Sequence, residues 1–424
     1  MTTSPRGEAV ATWMGPRSRP HAPIRWANRI GRPLARFFDL DESYLVERAL
    51  RRDPDFPAER LEFRDGLRAL TTAFEREARL NFLGRAIAQQ VALRLIRSQI
   101  RILKKLDQHP EVREQEIRRP VFVVGLPRTG TTILLALLSQ DPAHRPLLLW
   151  EGLDPVPPKR GPDRRLQRAR SAIRGFDYFS PNYQSIHPMG AELPEECVLL
   201  FMPLFSSPQF DFQYRVPGYL DWLRERGLGN AYRRYRDQLR LLQWQDRSTS
   251  PSQNSGRWLL KDPAHLLGLQ HILEIFPDAC VIQTHRDPLK SLPSNCSLYA
   301  HSRIMFSDEV DARELGAYVA DGIWPEALDV ALEDRKRLPE QNFFDLRYAD
   351  FMRDPIHSME GIYRHFGLEL GESTREAMRA YLDRHPRAAD RVHSYSLEQF
   401  GLSAEGQRKR YEAYCERFDI PSES

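Results

Sequence analysis

The chain has 424 residues, of which 41% are hydrophobic and 28% charged. These are ordinary globular proportions, and they exclude collagen-like, wholly disordered and small disulfide-scaffold classes. Lys plus Arg total 62 against 58 Asp plus Glu, a net charge of +4, too small a surplus over this length for bulk nucleic-acid binding. Four cysteines, Cys197, Cys280, Cys296 and Cys415, are too scattered for a disulfide framework or a zinc site and read as reduced thiols. No apolar run matches a secretory signal or reaches the ~20 residues of a membrane span, so a cytoplasmic location is expected.

Residues 1–42 read as a basic, partly flexible arm: Arg6, Arg17, Arg19, Arg25, Arg29, Arg32 and Arg36 face a single acid, Glu8, within residues 1–36. Inside it Ile24, Trp26, Ile30, Leu34, Phe37 and Phe38 are interleaved with four arginines, as in a membrane-interface segment, while Gly31 and Pro33 argue against one continuous helix. A solvated arm is the plainer reading, and peripheral contact with a membrane the alternative. Residues 43–115 predict a helical cap, because Leu67, Leu70, Phe74, Leu80, Ile87, Val91, Leu95 and Leu103 recur at helical spacing among charges. Across 116–370 short apolar runs alternate with helical stretches. Pro120–Val124, Trp258–Leu260, Ala279–Thr284 and Asn342–Arg347 predict strands, hence an α/β core whose central parallel sheet carries helices on both faces in three layers. The basic stretch Pro155–Arg174 reads as a loop, and 371–424 as a C-terminal helical extension folding back over the sheet edge.

The first strand runs into Gly125-Leu-Pro-Arg-Thr-Gly130-Thr-Thr and then an apolar helix. Strand, glycine-rich turn and helix in that order bind phosphate-type anions, since turn N–H groups and the positive helix end converge on one point. The glycine spacing is that of a Walker A loop, but Thr131 stands where that motif has lysine. The only cation in the loop is Arg128, which disfavours nucleoside triphosphate hydrolysis. Downstream, the strand ending at Thr284 delivers Arg286 just before Asp287-Pro288, a helix cap followed by proline at the first helical position. Ser294 follows two turns later, with Pro293 expected to disturb the helix just before it. An arginine fork and a serine hydroxyl together suit a phosphate.

The Pro127-Arg-Thr-Gly-Thr-Thr132 loop, Leu260-Lys-Asp-Pro263 and Thr284-His-Arg-Asp-Pro288 with Ser294 resemble the sulfotransferases that use 3′-phosphoadenosine 5′-phosphosulfate (PAPS), in their bacterial and tyrosylprotein-like branch. The resemblance implies a P-loop-like three-layer fold. It also implies that Pro127, Arg128, Thr129, Gly130, Thr131 and Thr132 cradle the 5′-phosphosulfate, while Arg286 and Ser294 hold the 3′-phosphate. Arg128 and Lys261 would meet the charge developing on the leaving phosphate. Glu151 lies in the neighbourhood where the tyrosylprotein branch carries its catalytic glutamate. His265 is its rival, and His187, Glu192, Glu195 and Glu196 are further candidates. The scheme requires no metal. The tail Arg391–Gly401 resembles one in bacterial members that would close over the nucleotide. Phe201–Tyr214 reads chiefly as core, with an acceptor-pocket lining as the alternative. The expected function is sulfuryl transfer from PAPS to a hydroxyl, less readily an amine, of a small-molecule, lipid or glycan acceptor. The rivals are a P-loop phosphotransferase of the nucleotide-kinase kind and a non-catalytic nucleotide-binding protein.

Overall fold

A computed structural model describes residues 20–159, 161–181, 183–186, 188–249, 256–385 and 395–423. Arg6, Glu8, Arg17, Arg19, Arg160, His187 and Arg391–Ser394 therefore lie outside the described residues.

Five strands, β1 (Val121–Gly125), β2 (His144–Pro146), β3 (Arg257–Lys261), β4 (Cys280–His285) and β5 (Phe343–Arg347), form one sheet in the order β2-β3-β1-β4-β5. Every pairing is parallel, with Val123 opposite both Lys261 and Ile282, and Gly125 opposite Thr284. All strand C-termini therefore point to one end of the molecule. Strand residues alternate between two cores. Val121, Val123, Leu259 and Ile282 join one cluster, and Phe122, Val124, Leu260 and Val281 the other. This is the three-layer α/β arrangement expected from near-continuous apolar strands. The short edge strand β2 was not predicted: three residues with a proline carry no period-two signal, and only pairing with Arg257–Leu259 defines it.

The N-terminal arm is helical where it is described. Helix α1 (Ala22–Gly31) and a 3-10 segment over Arg32–Phe37 meet where Gly31 and Pro33 interrupt the pattern. Helices α2 (Glu42–Leu50), α3 (Arg64–Arg76) and α4 (Phe82–Gln108) make the cap, with Leu67, Leu70, Phe74 and Leu95 buried in the larger core. Helix α5 (Thr131–Leu138) follows β1 directly and buries Leu134, Leu135, Leu137 and Leu138 under the sheet. The stretch read as a loop over Pro155–Arg174 is helical from its middle onward, as α6 (Arg165–Phe179). Arg165 lies over the Trp150 ring and pairs with Asp163, so its charge is neutralised locally and does not interrupt the helix.

Helices α7 (Pro217–Arg226) and α8 (Gly229–Thr249) lie between β2 and β3 in sequence. Helix α9 (Pro288–Arg303) runs through Pro293 without a break. The proline leaves the Leu289 carbonyl without its usual partner, yet the predicted disturbance does not end the helix, which is buried along most of its length. In the C-terminal extension, α10 (Glu372–Arg384) buries Met378 in the α5-side core. Helix α11 (Glu412–Arg417) brings Tyr414 and Phe418 onto His285 at the end of β4, with the Phe418 ring stacked on the imidazole at 4.0 Å. No helix among the described residues is long and apolar enough to cross a membrane.

Candidate active site

The turn after β1 is built from left-handed backbone. Gly125, Arg128 and Gly130 have φ of 144°, 71° and 88°. Gly125 has no room for a side chain, since a Cβ there would lie 2.2 Å from Thr284 Oγ1. Thr129 is buried and pins the turn: its hydroxyl donates to the Leu126 carbonyl at 2.7 Å and lies 2.7 Å from Thr284 Oγ1. Gly130 is the residue before α5, so the turn opens directly onto a helix N-terminus that favours anions.

Because β4 pairs with β1, the second cationic element arrives beside this turn. Asp287 caps α9 by accepting from Leu289 N at 2.9 Å, and Pro288 takes the first helical position. Arg286 Nη1 donates to the Arg128 carbonyl at 3.1 Å, and Arg128 Nε donates to Ser294 Oγ at 3.1 Å. The loop, Arg286 and Ser294, separated by about 160 residues in sequence, thus form one unit at neighbouring sheet tips. Burial, reinforced by the charge of Arg286, lowers the Arg128 pKa, as expected of two cations crowded where an anion belongs. Arg286 stacks over the Tyr348 ring at 4.1 Å. Its fork is taken by a carboxylate, Glu423, at 3.0–3.2 Å, while Glu423 N donates to Asp287 Oδ2. The fork therefore accepts an anionic group in this geometry.

Lys261 closes β3 one strand to the other side. It is 2% exposed, and its ammonium donates to Glu196 Oε1 at 2.6 Å. Burial would lower its pKa, but the charges of Glu196 and Glu195 and the Glu196 hydrogen bond outweigh it and raise the value. Next to it Asp262 accepts from Ala264 N at 2.8 Å, and burial followed by the Glu196 charge pushes its pKa up to about 8. A cavity of about 230 Å³ opens between these groups and the loop. Its polar wall holds Arg128, Thr131, Thr132, Glu195, Glu196 and Asp262, and its apolar wall includes Leu149, Ile173, Phe176, Phe212, Leu298 and Trp324.

Pro127, Arg128, Thr131 and Thr132 thus face the cavity, whereas Thr129 and Gly130 shape the turn behind it. Glu151 is not brought to the cavity. Both its oxygens are held by Arg145, at 2.6 and 2.8 Å, and it also accepts from Leu148 N. His265 is likewise placed elsewhere. It lies in the core against Phe122, Phe201 and Tyr235, with Nδ1 2.7 Å from the Tyr232 hydroxyl, and burial lowers its pKa to about 3. Glu192 pairs with Arg170 at the surface. Of the described carboxylates weighed as the base, Glu195 and Glu196 line the cavity.

The sequence reading did not single out Asp262, Asn295, Ser302, Tyr348 or Glu423. The first two adjoin residues it did select, Lys261 and Ser294, which was the available signal; Tyr348 and Glu423 reach Arg286 only through the fold. The Phe201–Tyr214 segment divides. Phe201, Phe205, Phe210 and Tyr214 are core, while Gln209, Phe212 and Gln213 line the cavity. Among the described residues, no group of three or more His, Cys, Asp and Glu is placed to hold a metal ion.

Comparison with known proteins bears on these features directly. Over 294 residues the chain is 28% identical to the omega-hydroxy-beta-dihydromenaquinone-9 sulfotransferases Stf3 of Mycobacterium bovis and Mycobacterium tuberculosis, covering 66% of this chain and 70% of each relative. The crystal structure of sulfotransferase STF9 from Mycobacterium avium superposes with a TM-score of 0.79 at 27% identity, covering 91% of this chain and 98% of that one. STF1 from Mycobacterium tuberculosis H37Rv gives 0.72 at 30% identity, covering 88% and 98%. Residues 120–372, which include the glycine-rich turn, Lys261, Arg286 and Ser294, match the profile described as the sulfotransferase family, so the chain belongs to that family.

Proposed function

We propose that the protein moves the sulfuryl group of PAPS to the hydroxyl of an apolar, lipid-like acceptor. The observation that carries this reading is the union of the two cationic elements. The turn at 125–130 touches both Arg286 and Ser294, and Glu196, which lines the cavity beside the turn, holds the Lys261 ammonium from behind. Thr131 in place of the Walker lysine disfavours a nucleotide kinase. The apolar wall suits a hydrocarbon acceptor. The relatives of 28% identity are named for a hydroxylated dihydromenaquinone, which is consistent with a lipid bearing a hydroxyl.

When bound, PAPS supplies an activated sulfuryl group on a phosphate leaving group. The turn and the α5 N-terminus hold the 5′ end, and Arg286 with Ser294 the 3′-phosphate. Arg128 and Lys261 neutralise charge growing on the leaving oxygen, which is worth most in a buried, water-poor setting. Glu196, hydrogen-bonded to Lys261, accepts the proton of the acceptor hydroxyl as that oxygen forms its bond to sulfur. Its second oxygen is the one left to face the acceptor, because Oε1 is held by Lys261.

The test is incubation of the purified protein with radiolabelled PAPS and a lipid extract, followed by mass identification of product. A sulfated lipid is expected. Glu196→Gln is expected to lower turnover by ~100-fold or more while leaving affinity for adenosine 3′,5′-bisphosphate intact. Binding of ATP with magnesium, and none of the bisphosphate, would overturn the assignment.

A further inference from the structure

Helix α1 and the 3-10 segment behind it show two parallel stripes on their outer face. Trp26, Ile30, Leu34 and Phe37 are 69%, 53%, 50% and 67% exposed. Arg25, Arg29, Arg32 and Arg36, each one residue earlier or two in sequence, are exposed as well. Both sets recur every three or four residues, so each keeps to one side of the helical path. The opposite side is anchored. Ile24, Asn28 and Gly31 are buried, a Cβ at Gly31 would sit 2.4 Å from the Phe82 ring, and the Asn28 side chain accepts from Leu83 N at 3.0 Å. The outward stripes are therefore held on a firm base and are not the inner face of a frayed arm.

Among the described residues of this segment there is no acid from 20 to 38, and the four arginines form no ion pair. Isolated exposed apolar residues need no explanation, but four large ones contiguous on one face and flanked by unneutralised cations do. A protein partner would need both an apolar groove and matching acids. An anionic lipid surface supplies both complements in one continuous medium: acyl and glycerol layers for Trp, Ile, Leu and Phe, and phosphates for arginine. The segment also lies beside the helix that lines part of the cavity. His21, next to α1, packs its ring 5.0 Å from Tyr178 on α6, the helix that contributes Ile173 and Phe176 to that wall.

We infer that the outer face of residues 25–37 is a docking surface for an anionic lipid bilayer, seating Trp26, Ile30, Leu34 and Phe37 at the headgroup boundary with the four arginines on lipid phosphates. The surface is peripheral: its depth is that of side chains, not of a spanning helix. Its place beside α6 sets the cavity wall next to the bilayer.

Flotation of the full chain with phosphatidylcholine vesicles, with and without about a quarter phosphatidylglycerol, at about 0.1 M salt tests this. The protein is expected to float with the anionic vesicles and much less with neutral ones. Replacing Arg25, Arg29, Arg32 and Arg36 together by Gln is expected to weaken anionic-vesicle binding roughly 100-fold or more, at about fivefold per cation. Trp26→Ser with Phe37→Ser is expected to weaken it tenfold or more even at low salt. These side chains are exposed, and unchanged circular dichroism verifies that the variants fold. Absent binding to anionic vesicles, or binding that neither set of substitutions changes, overturns the inference. So does a dimer in sedimentation velocity that the Trp26 and Phe37 substitutions dissolve while vesicle binding is missing, which assigns the face to a second copy of the chain. Vesicle binding requires neither nucleotide nor turnover, so its failure leaves the sulfuryl-transfer reading standing.

Discussion

Arg286 is held from three sides: the Arg128 carbonyl, the Tyr348 ring and the Glu423 carboxylate. Its direction is thus fixed, and under the proposed function a nucleotide phosphate would take the place of Glu423 on its fork. Arg286→Ala is expected to weaken adenosine 3′,5′-bisphosphate by about 2 kcal/mol or more, while hardly changing analogues without the 3′-phosphate. Calorimetric titration of both ligands checks this, and equal losses would remove the assignment. Arg286 and Lys261 were legible as strand-end cations because each sits where a strand runs out, just before Asp and Pro. The proposed base, Glu196, was only one of several carboxylates that the sequence left open. Glu151 lies near the loop in sequence but turns back to Arg145, whereas Glu196 reaches Lys261 across 65 residues. A contact of that separation is decided by tertiary packing, which no local pattern records.

At the scale of elements, the turn at 125–130 depends on glycine for a stated reason. Gly125→Ala puts a methyl group against Thr284 in a left-handed backbone. The expected result is a loss of about 2 kcal/mol or more in urea unfolding, together with weakened nucleotide binding. Stability equal to that of the parent protein would show that the turn can relax.

Four of the five strands could be read from apolar runs, three of them ending in Gly or in Asp-Pro signals. The fifth, β2, could not, because three residues at a sheet edge leave no periodic trace. Helix α6 was hidden by its arginines, which a propensity-and-charge reading assigns to solvent. Arg168 pairs with Asp154 and Arg170 with Glu192, however, so neighbouring segments supply the counter-charges that a local reading does not see. Pro293 misled in the opposite sense: its cost is real, but burial of α9 on most sides outweighs one missing hydrogen bond.

Taken as a whole, the molecule has a buried histidine between the sheet and helix α8. His265 titrates near 3 because burial penalises its charged form. An unfolded chain protonates it near 6.5. Its contribution to stability is therefore complete above that value and is lost as pH falls from about 6.5 toward 3. Urea midpoints are expected to drop on acidification, and His265→Asn to reduce that drop. A variant with the same acid slope as the parent would shift the effect to other groups.

The Glu423 contact also bears on the end of the reaction cycle. If Arg286 holds the 3′-phosphate as proposed, the carboxylate tethered beside it is an internal rival for that place, present at an effective concentration of order millimolar. Each departure of the spent bisphosphate is then an exchange: the chain's own anion takes the fork as the product leaves it, so the arginine need not stand bare. Glu423→Gln is expected to bind adenosine 3′,5′-bisphosphate several-fold more tightly and to release it more slowly, as stopped-flow displacement would register. Turnover limited by product release would fall even though every group that performs the transfer is untouched.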